Sequence, residues 1–189
     1  MNSTSLVAHA LRECARLHEQ AAVESPAAVV AVAVALQAAF AQDRKVLMFG
    51  NGGSALDAQH FAAELVGRFA RERRALPAIS LTTDTSILTS VANDYAYERV
   101  FARQVEALGR AGDVAVGIST SGTSANVLAA LQAAKARGMT TVAFTGRDGG
   151  AIGAMVDVHV NVPHAVTARI QEVHRSLIHA VCDLVERDL

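Results

Sequence analysis

From residue 45 onward the chain alternates short, almost wholly apolar runs with longer segments whose apolar residues recur at helical spacing. The apolar runs are KVLMFG, AISL, DVAVGIST, TTVAFTG and VDVHVNV. Between them the pattern predicts a helix over about 54–69, helical stretches through 107, a helix at SANVLAALQAAKARG and a short loop-helix at RDGGAIGAM. A long amphipathic helix, TARIQEVHRSLIHAVCDLVERDL, follows the last run. Apolar strands separated by helices predict a parallel sheet covered on both faces. The expected architecture is a doubly wound α/β fold with five strands, preceded by one or two N-terminal helices. It reads as one domain over 1–189, with a helical segment at 1–44 and a core with its C-terminal helix at 45–189. No internal repeat, linker or low-complexity stretch interrupts it.

The most apolar stretch, AAVVAVAVALQAAF at 27–40, is shorter than the roughly 18–20 residues that cross a bilayer. Glu19 and Glu24 precede it where a secretory signal would carry positive charge. It reads as a helix buried on most sides, in the core or in a subunit interface, which points to an oligomer and away from a membrane. A formal net charge of −1 leaves no global field to hold nucleic acid, so any anion needs a local site. Cys14 and Cys182 lie far apart without CxxC spacing, which predicts two buried thiols in a reducing cytoplasm.

In an open α/β sheet ligands sit beyond the carboxyl ends of the strands. Two loops there are built alike. The first strand ends in GNGGS, where Gly50, Gly52 and Gly53 let backbone N–H groups approach a ligand, Asn51 lies between them, and Ser54 is expected to cap the next helix. The third ends in STSGTS, which crowds Ser119, Thr120, Ser121, Thr123 and Ser124 around Gly122 before another helix. A helix N-terminus offers unpaired donors and partial positive charge, so such loops form a neutral cup for a phosphate monoester. Turn punctuation and helix capping would use the same residues. Neither loop is a Walker A or a GxGxxG sequence, so nucleotide binding has little support.

His60 and Glu64 are spaced i, i+4 on one helix face. Gln171 and His179 are separated by roughly 80° around the last helix, two turns apart, and can face one cavity. His159, His164 and His174 read as structural. Asn93 and Asp94 suit a turn or N-cap before YAYERVFARQ. Arg71, Arg73 and Arg74 read as solvated surface, whereas Arg68 is a weak suspect for reaching substrate across an interface.

The stretches GNGGSALDAQHFAAELVGRF, TTDTSILTSVANDYAYERVFARQVEALGRAGD, GISTSGTSANVLAAL, AFTGRDGG and RIQEVH together resemble the sugar isomerase (SIS) domain family, and within it the phosphoheptose isomerases. The resemblance runs over about 45–188 and is looser in the N-terminal helices. It implies a flavodoxin-like sheet, a cytoplasmic homotetramer with interfacial active sites, and conversion of D-sedoheptulose 7-phosphate to D-glycero-D-manno-heptose 7-phosphate through an enediol. That reaction is the first step toward nucleotide-activated heptose. The resemblance makes Glu64 the proton-transferring base and His179 its acid/base partner. It makes His60, Glu64, Gln171 and His179 ligands of a divalent metal, zinc by their chemistry, although a Gln amide is a weak zinc ligand. It implies substrate contacts from Asn51, Gly52, Gly53, Ser54, Glu64, Asn93, Asp94, Ser119, Thr120, Ser121, Ser124 and Gln171. Ala168, after Thr167, departs from relatives that carry an acidic residue just before RIQE. Competing readings are a non-enzymatic SIS protein that binds the bacterial replication initiator and an isomerase of another sugar phosphate. A scaffold has no need of Glu64 and His179, which favours the enzyme. No DNA-binding domain of the kind carried by SIS sensors is read before residue 45.

Overall fold

The five apolar runs become strands β1 (Val46–Gly50), β2 (Ala78–Ser80), β3 (Val114–Ser119), β4 (Thr140–Gly146) and β5 (Val158–Val162) in a computed structural model that describes residues 2–187. They form one parallel sheet in the order β2-β1-β3-β4-β5. The helices are α1 (Ser3–Glu24), α2 (Pro26–Phe40), α3 (Gly53–Val66), α4 (Thr85–Asp94), α5 (Ala102–Leu108), α6 (Ala125–Ala136), α7 (Gly150–Gly153) and α8 (Thr167–Arg187), with a 3-10 turn at Tyr97–Arg99. The segment 188–189, which the sequence reading includes in the last helix, lies outside the described residues.

Alternation along each strand divides the core in two. Val46, Met48, Val114, Val116, Ile118, Val142 and Phe144 pack with α2, α3 and α8. Leu47, Phe49, Ala115 and Ala143 pack with α5 and α6 on the opposite face. A third cluster joins Leu17 and Ala21 of α1 to Ile170 and Val173 of α8. The edge strand β2 departs from the expectation of burial on both faces, because Ile79 is exposed there. In α2, Val29, Val32, Leu36 and Phe40 are buried while Val30 and Val34 stay exposed, as do Leu6, Val7 and Leu11 of α1. No single described helix is long and apolar enough to cross a membrane; α1 and α2 reach that composition only as a pair bent by 68°.

The order of the central strands creates a crevice. β1 and β3 are neighbours, with Gly50 opposite Ile118 at their carboxyl ends. From there α3 leaves to one face of the sheet and α6 to the other. This is the topological switch point at which α/β sheets bind ligands, and it brings GNGGS beside STSGTS. At the opposite end of β3, buried Asp113 accepts from the Lys45 and Arg110 amides at 3.0 and 2.8 Å and pairs with Lys45 Nζ at 2.6 Å. Burial alone would raise its carboxyl pKa, but Lys45 and the two amides outweigh this and hold it low.

Four residues here, Cys14, Ser54, Asn93 and Asp94, differ from their expected setting. Cys182 is buried, and burial pushes its thiol pKa well up, whereas Cys14 is only partly buried, so the pair of buried thiols is half realised; both cysteines are free. Ser54 does not cap α3: Gly52 occupies the N-cap, and Ser54 lies inside the helix with its N–H on the Asn51 carbonyl. Asn93 and Asp94 end α4 rather than starting the following helical turn. His174, as expected, is structural. It is fully buried, its Nε2–H donates to the Thr145 carbonyl at 2.8 Å, and its ring meets Phe144 edge to face. Burial lowers its pKa to about 4, against the opposing pull of the Thr145 carbonyl and Asp57.

Native His174 is therefore neutral where the unfolded chain, with an ordinary histidine near pH 6.5, takes up a proton. Its contribution is whole above that value and is lost as pH falls toward about 4, a change on the order of 3 kcal/mol. The stability difference between wild type and His174→Gln, measured by urea unfolding, is expected to narrow steadily from pH 7 to pH 5. A difference independent of pH would contradict this assignment.

Candidate active site

The two loops line a cavity of about 310 Å³ bounded by Asn51, Gly52, Gly53, Ser54, Ile118, Ser119, Thr120, Ser124, Thr167 and Gln171. Eight of the predicted substrate residues thus meet in one place. Ser119 Oγ and Ser124 Oγ are 2.8 Å apart at the mouth of α6, whose N-cap is Ser124. Ser121 lies outside this lining; its Oγ accepts from Thr123 N–H at 3.2 Å and Thr123 Oγ1 at 3.1 Å, which shapes the loop. Gly122 has φ +68°, and a Cβ there would collide with the Gly149 carbonyl. The Ile152 N–H donates to the Gly122 carbonyl at 3.0 Å, so the α7 turn braces the loop from behind.

Asn51 has a second role. Its side-chain amide and that of Asn126 exchange hydrogen bonds, each 2.8 Å long, and the Tyr97 hydroxyl donates to Asn51 Oδ1 at 3.2 Å. This reciprocal pair ties the β1 loop to the first turn of α6. Asn126 was not singled out from the sequence, where one Asn in a helix start carries no distinguishing signal.

A larger cavity of about 550 Å³ adjoins the first and shares Gly53 and Gln171 with it. A Cβ on Gly53 would strike the Gln171 amide, so glycine is what lets α8 come this close to the start of α3. The second cavity is lined by His179 together with charged and polar groups the sequence reading missed: His18, Asp57, Glu172, Arg175 and Ser176. Spacing could have indicated two of them, since Asp57 precedes His60 by three residues and Arg175 lies midway between Gln171 and His179. Asp57 is buried and pairs with Arg175 at 2.7 Å.

His60 and Glu64 of α3 meet His179 of α8. His60 Nε2 lies 2.7 Å from His179 Nε2 and 3.5 Å from Glu64 Oε1, and one donor atom from each residue falls within a 4.8 Å cluster. Two imidazole nitrogens this close cannot both present bare lone pairs or both carry protons, so a proton or a cation must lie between them. Burial lowers the His179 pKa, with His60 and Arg175 adding to the effect and Glu64 opposing it. Two imidazoles and a carboxylate converging in this way form a donor set that fits a divalent metal of the zinc type. Gln171 comes off α8 two turns before His179 and lies against Gly53. The Phe69 ring tilts over His179 at a centroid distance of 5.4 Å.

Other expected residues stand apart. Asn93 and Asp94 are exposed, bonded to one another, and absent from the lining of both cavities. Arg68 is exposed, with a long contact to Glu72 of 3.8 Å. Arg73, expected at the solvated surface, is buried against Glu186. Ala168 lines the larger cavity, and Thr167 the smaller. His159 bonds Thr145 Oγ1 at 2.6 Å, and His164 faces Glu13.

Comparison with known proteins agrees with this geometry. A family model described as the SIS domain matches residues 11–146, more than half the chain and well into α1. The phosphoheptose isomerase of Roseiflexus sp. (strain RS-1) is 61% identical over 161 residues, covering 85% of this chain and 82% of that one. The phosphoheptose isomerase of Halorhodospira halophila is 51% identical over 192 residues, covering 100% and 97%. The solved phosphoheptose isomerase from Neisseria gonorrhoeae superposes with a TM-score of 0.93 at 50% identity, over 98% of this chain and 100% of that one. With the SIS fold, the two hydroxyl- and glycine-rich loops at the switch point and these relatives, the chain belongs to the phosphoheptose isomerase family.

Proposed function

We propose that this chain converts D-sedoheptulose 7-phosphate into D-glycero-D-manno-heptose 7-phosphate, the first step toward nucleotide-activated heptose. The observation that carries the reading is the meeting of Glu64, His60 and His179 beside a cavity that shares Gly53 and Gln171 with a neutral phosphate cup. In this reading the phosphate is held by Ser119, Thr120, Ser121 and Ser124, by the amides of Gly52 and Gly53 and by the Ser54 hydroxyl, at the positive ends of α3 and α6. Asn51 keeps the two loops in register, and Gln171 binds the sugar where the cavities join.

Anchoring the phosphate directs the other end of the sugar toward His179. Glu64 takes a proton from C1, and the electron pair becomes the C1–C2 double bond of an enediol as O2 gains a proton. The same proton returns to C2 while O1 gives up its own, which leaves an aldehyde at C1. His179 donates to O2 in the first step and recovers the proton from O1 in the second. His60, Glu64, Gln171 and His179 would hold one zinc ion per chain. When bound, it supplies Lewis acidity at the sugar oxygens and lowers the basicity of Glu64.

The enzyme is proposed to act as a cytoplasmic homotetramer with interfacial sites. The exposed Leu6, Val7 and Leu11 of α1 and Val30 and Val34 of α2 support burial between subunits. Asn93 and Asp94 are exposed and are proposed to contact the sugar, and the two free cysteines suit a reducing compartment. Light scattering is expected to give a mass four times that of the 19.8 kDa chain, and a monomer would remove this part of the proposal.

Replacing Glu64 by Gln is expected to lower turnover of sedoheptulose 7-phosphate by about 10²–10⁴-fold, with the fold and sugar-phosphate binding retained. Formation of the aldose product is the measurement, and near-normal turnover by the variant would overturn the assignment of the base. Chelator-treated wild type is expected to lose activity and regain it with about one equivalent of zinc per chain. His60→Ala protein should bind less zinc by elemental analysis, and unchanged zinc content would exclude this ligand set.

A further inference from the structure

We propose that Glu186 and Arg73, a buried pair behind the cluster, are positioning residues that set Glu64 and His179 against one another. The inference rests on the roles given above to those two side chains. Glu186 lies near the end of α8, seven residues beyond His179, and its side chain is 1% exposed. Its Oε1 accepts from the Phe69 N–H at 2.7 Å, and its Oε2 accepts from the Ala70 and Arg71 N–H groups at 2.9 Å each. Three successive amides thus converge on one carboxylate, and the loop leaving α3 is wrapped around it. Burial alone would raise the Glu186 pKa, but these amides and Arg73 outweigh that and keep it low, so the group is charged at neutral pH.

Arg73 closes the same loop from the other side. Its Nε lies 3.1 Å from Glu186 Oε1, an ion-pair contact without the alignment of a hydrogen bond. The well-aligned bonds go to main-chain carbonyls: Nη2 donates to Glu64 O at 2.7 Å, and Nη1 to Leu65 O at 2.8 Å, Gly67 O at 3.1 Å and Arg74 O at 3.0 Å. The last carbonyls of a helix have no partner within it, and the guanidinium fork takes those at the end of α3. One of them belongs to Glu64 itself.

Two links follow. The main chain of Glu64 is fixed through Arg73, and the ring of Phe69, whose N–H is held by Glu186, lies on the imidazole of His179. The pair therefore joins the helix that carries the base to the helix that carries its partner, without reaching the cavity. An ion pair this buried is poor evidence of net stability. Its arrangement instead supplies what proton transfer requires, because a misplacement of about 1 Å in a catalytic constellation costs on the order of 10²-fold.

The test compares Glu186→Gln and Phe69→Ala with Phe69→Tyr, which keeps the ring, and with Asp113→Asn, which disrupts a buried carboxylate at the far end of β3. Glu186→Gln and Phe69→Ala are expected to lower kcat at least about 10-fold while KM and inorganic-phosphate binding change less than about 2-fold, since the cup lies on other loops. Phe69→Tyr should retain kcat, and Asp113→Asn should lower Tm with kcat unchanged. A kcat loss in Glu186→Gln no larger than in Asp113→Asn, or a change confined to KM, would overturn the proposal. The imidazole proton shifts of His179, displaced by the Phe69 ring current, give a readout that needs no substrate. They should move in Glu186→Gln and Phe69→Ala but not in Asp113→Asn, and an unmoved signal in Glu186→Gln would refute the link even if wild type failed to turn over this sugar. If Glu186→Gln does not fold, Arg73→Lys, which keeps the charge but loses the fork of donors to the Glu64, Leu65 and Gly67 carbonyls, is read by the same two measures, and unchanged kcat with unmoved His179 signals would overturn the proposal. Absence of wild-type turnover with the expected shift changes would count against the substrate reading alone.

Discussion

The arrangement depends first on the neighbouring positions of β1 and β3. Each strand must bury both faces, so each connection crosses back over the sheet, and the two chains leaving these strands go to opposite sides. The gap between them exposes the amino ends of α3 and α6 to one point, with Gly50 and Ile118 in register below it. The proposed phosphate cup needs no lysine or arginine in its lining, because backbone amides and hydroxyls converge there. The reciprocal Asn51–Asn126 amide pair keeps the gap at a fixed width.

α8 connects this phosphate cup to the reacting end. One side of it buries Ile170, Val173, Ile178, Val181 and Val185, and the spacing of four between Gln171, Arg175 and His179 places them on another side, along the larger cavity. Gly53 lets the helix approach, and Glu186 holds the loop that leaves α3. Helix packing thus determines the distance from the loop cavity to the His60–Glu64–His179 cluster, and in the proposed function that distance would select sugar length. Ala168 presents a methyl group to the larger cavity, whose polar lining comes from Gln171, Glu172 and the Asp57–Arg175 pair.

Much of this was legible from local pattern. Alternating apolar runs and helical periods gave the order of elements, and Gly-, Ser- and Thr-rich segments after the first and third runs marked the cup. Spacing within one helix brought His60 to Glu64, and Gln171 to the side of His179. The roles of Asn126, Phe69 and Arg73 were not legible for a common reason. Each comes from a partner distant in sequence: Asn51, His179 and Glu186, respectively. Ser54 was misread as a cap because its composition suits one, although Gly52 takes the N-cap position with φ +57°.

Short-range periodicity in the sequence was enough for the five parallel strands, the flanking helices, the two glycine- and hydroxyl-rich loops after the first and third strands, and the one-face spacing on α3 and α8. Those are properties of a chain a few residues at a time, where side-chain direction repeats with the backbone. Only the tertiary structure decided which face of α8 meets which end of α3, and hence that His60 lies 2.7 Å from His179. It also decided that an arginine expected in solvent is buried on a glutamate. Such pairings follow from close packing of elements distant in the chain, and their distances depend on residues packed beside them, such as Gly53, whose missing side chain lets α8 approach, and Phe69, rather than on either partner's own sequence neighbourhood.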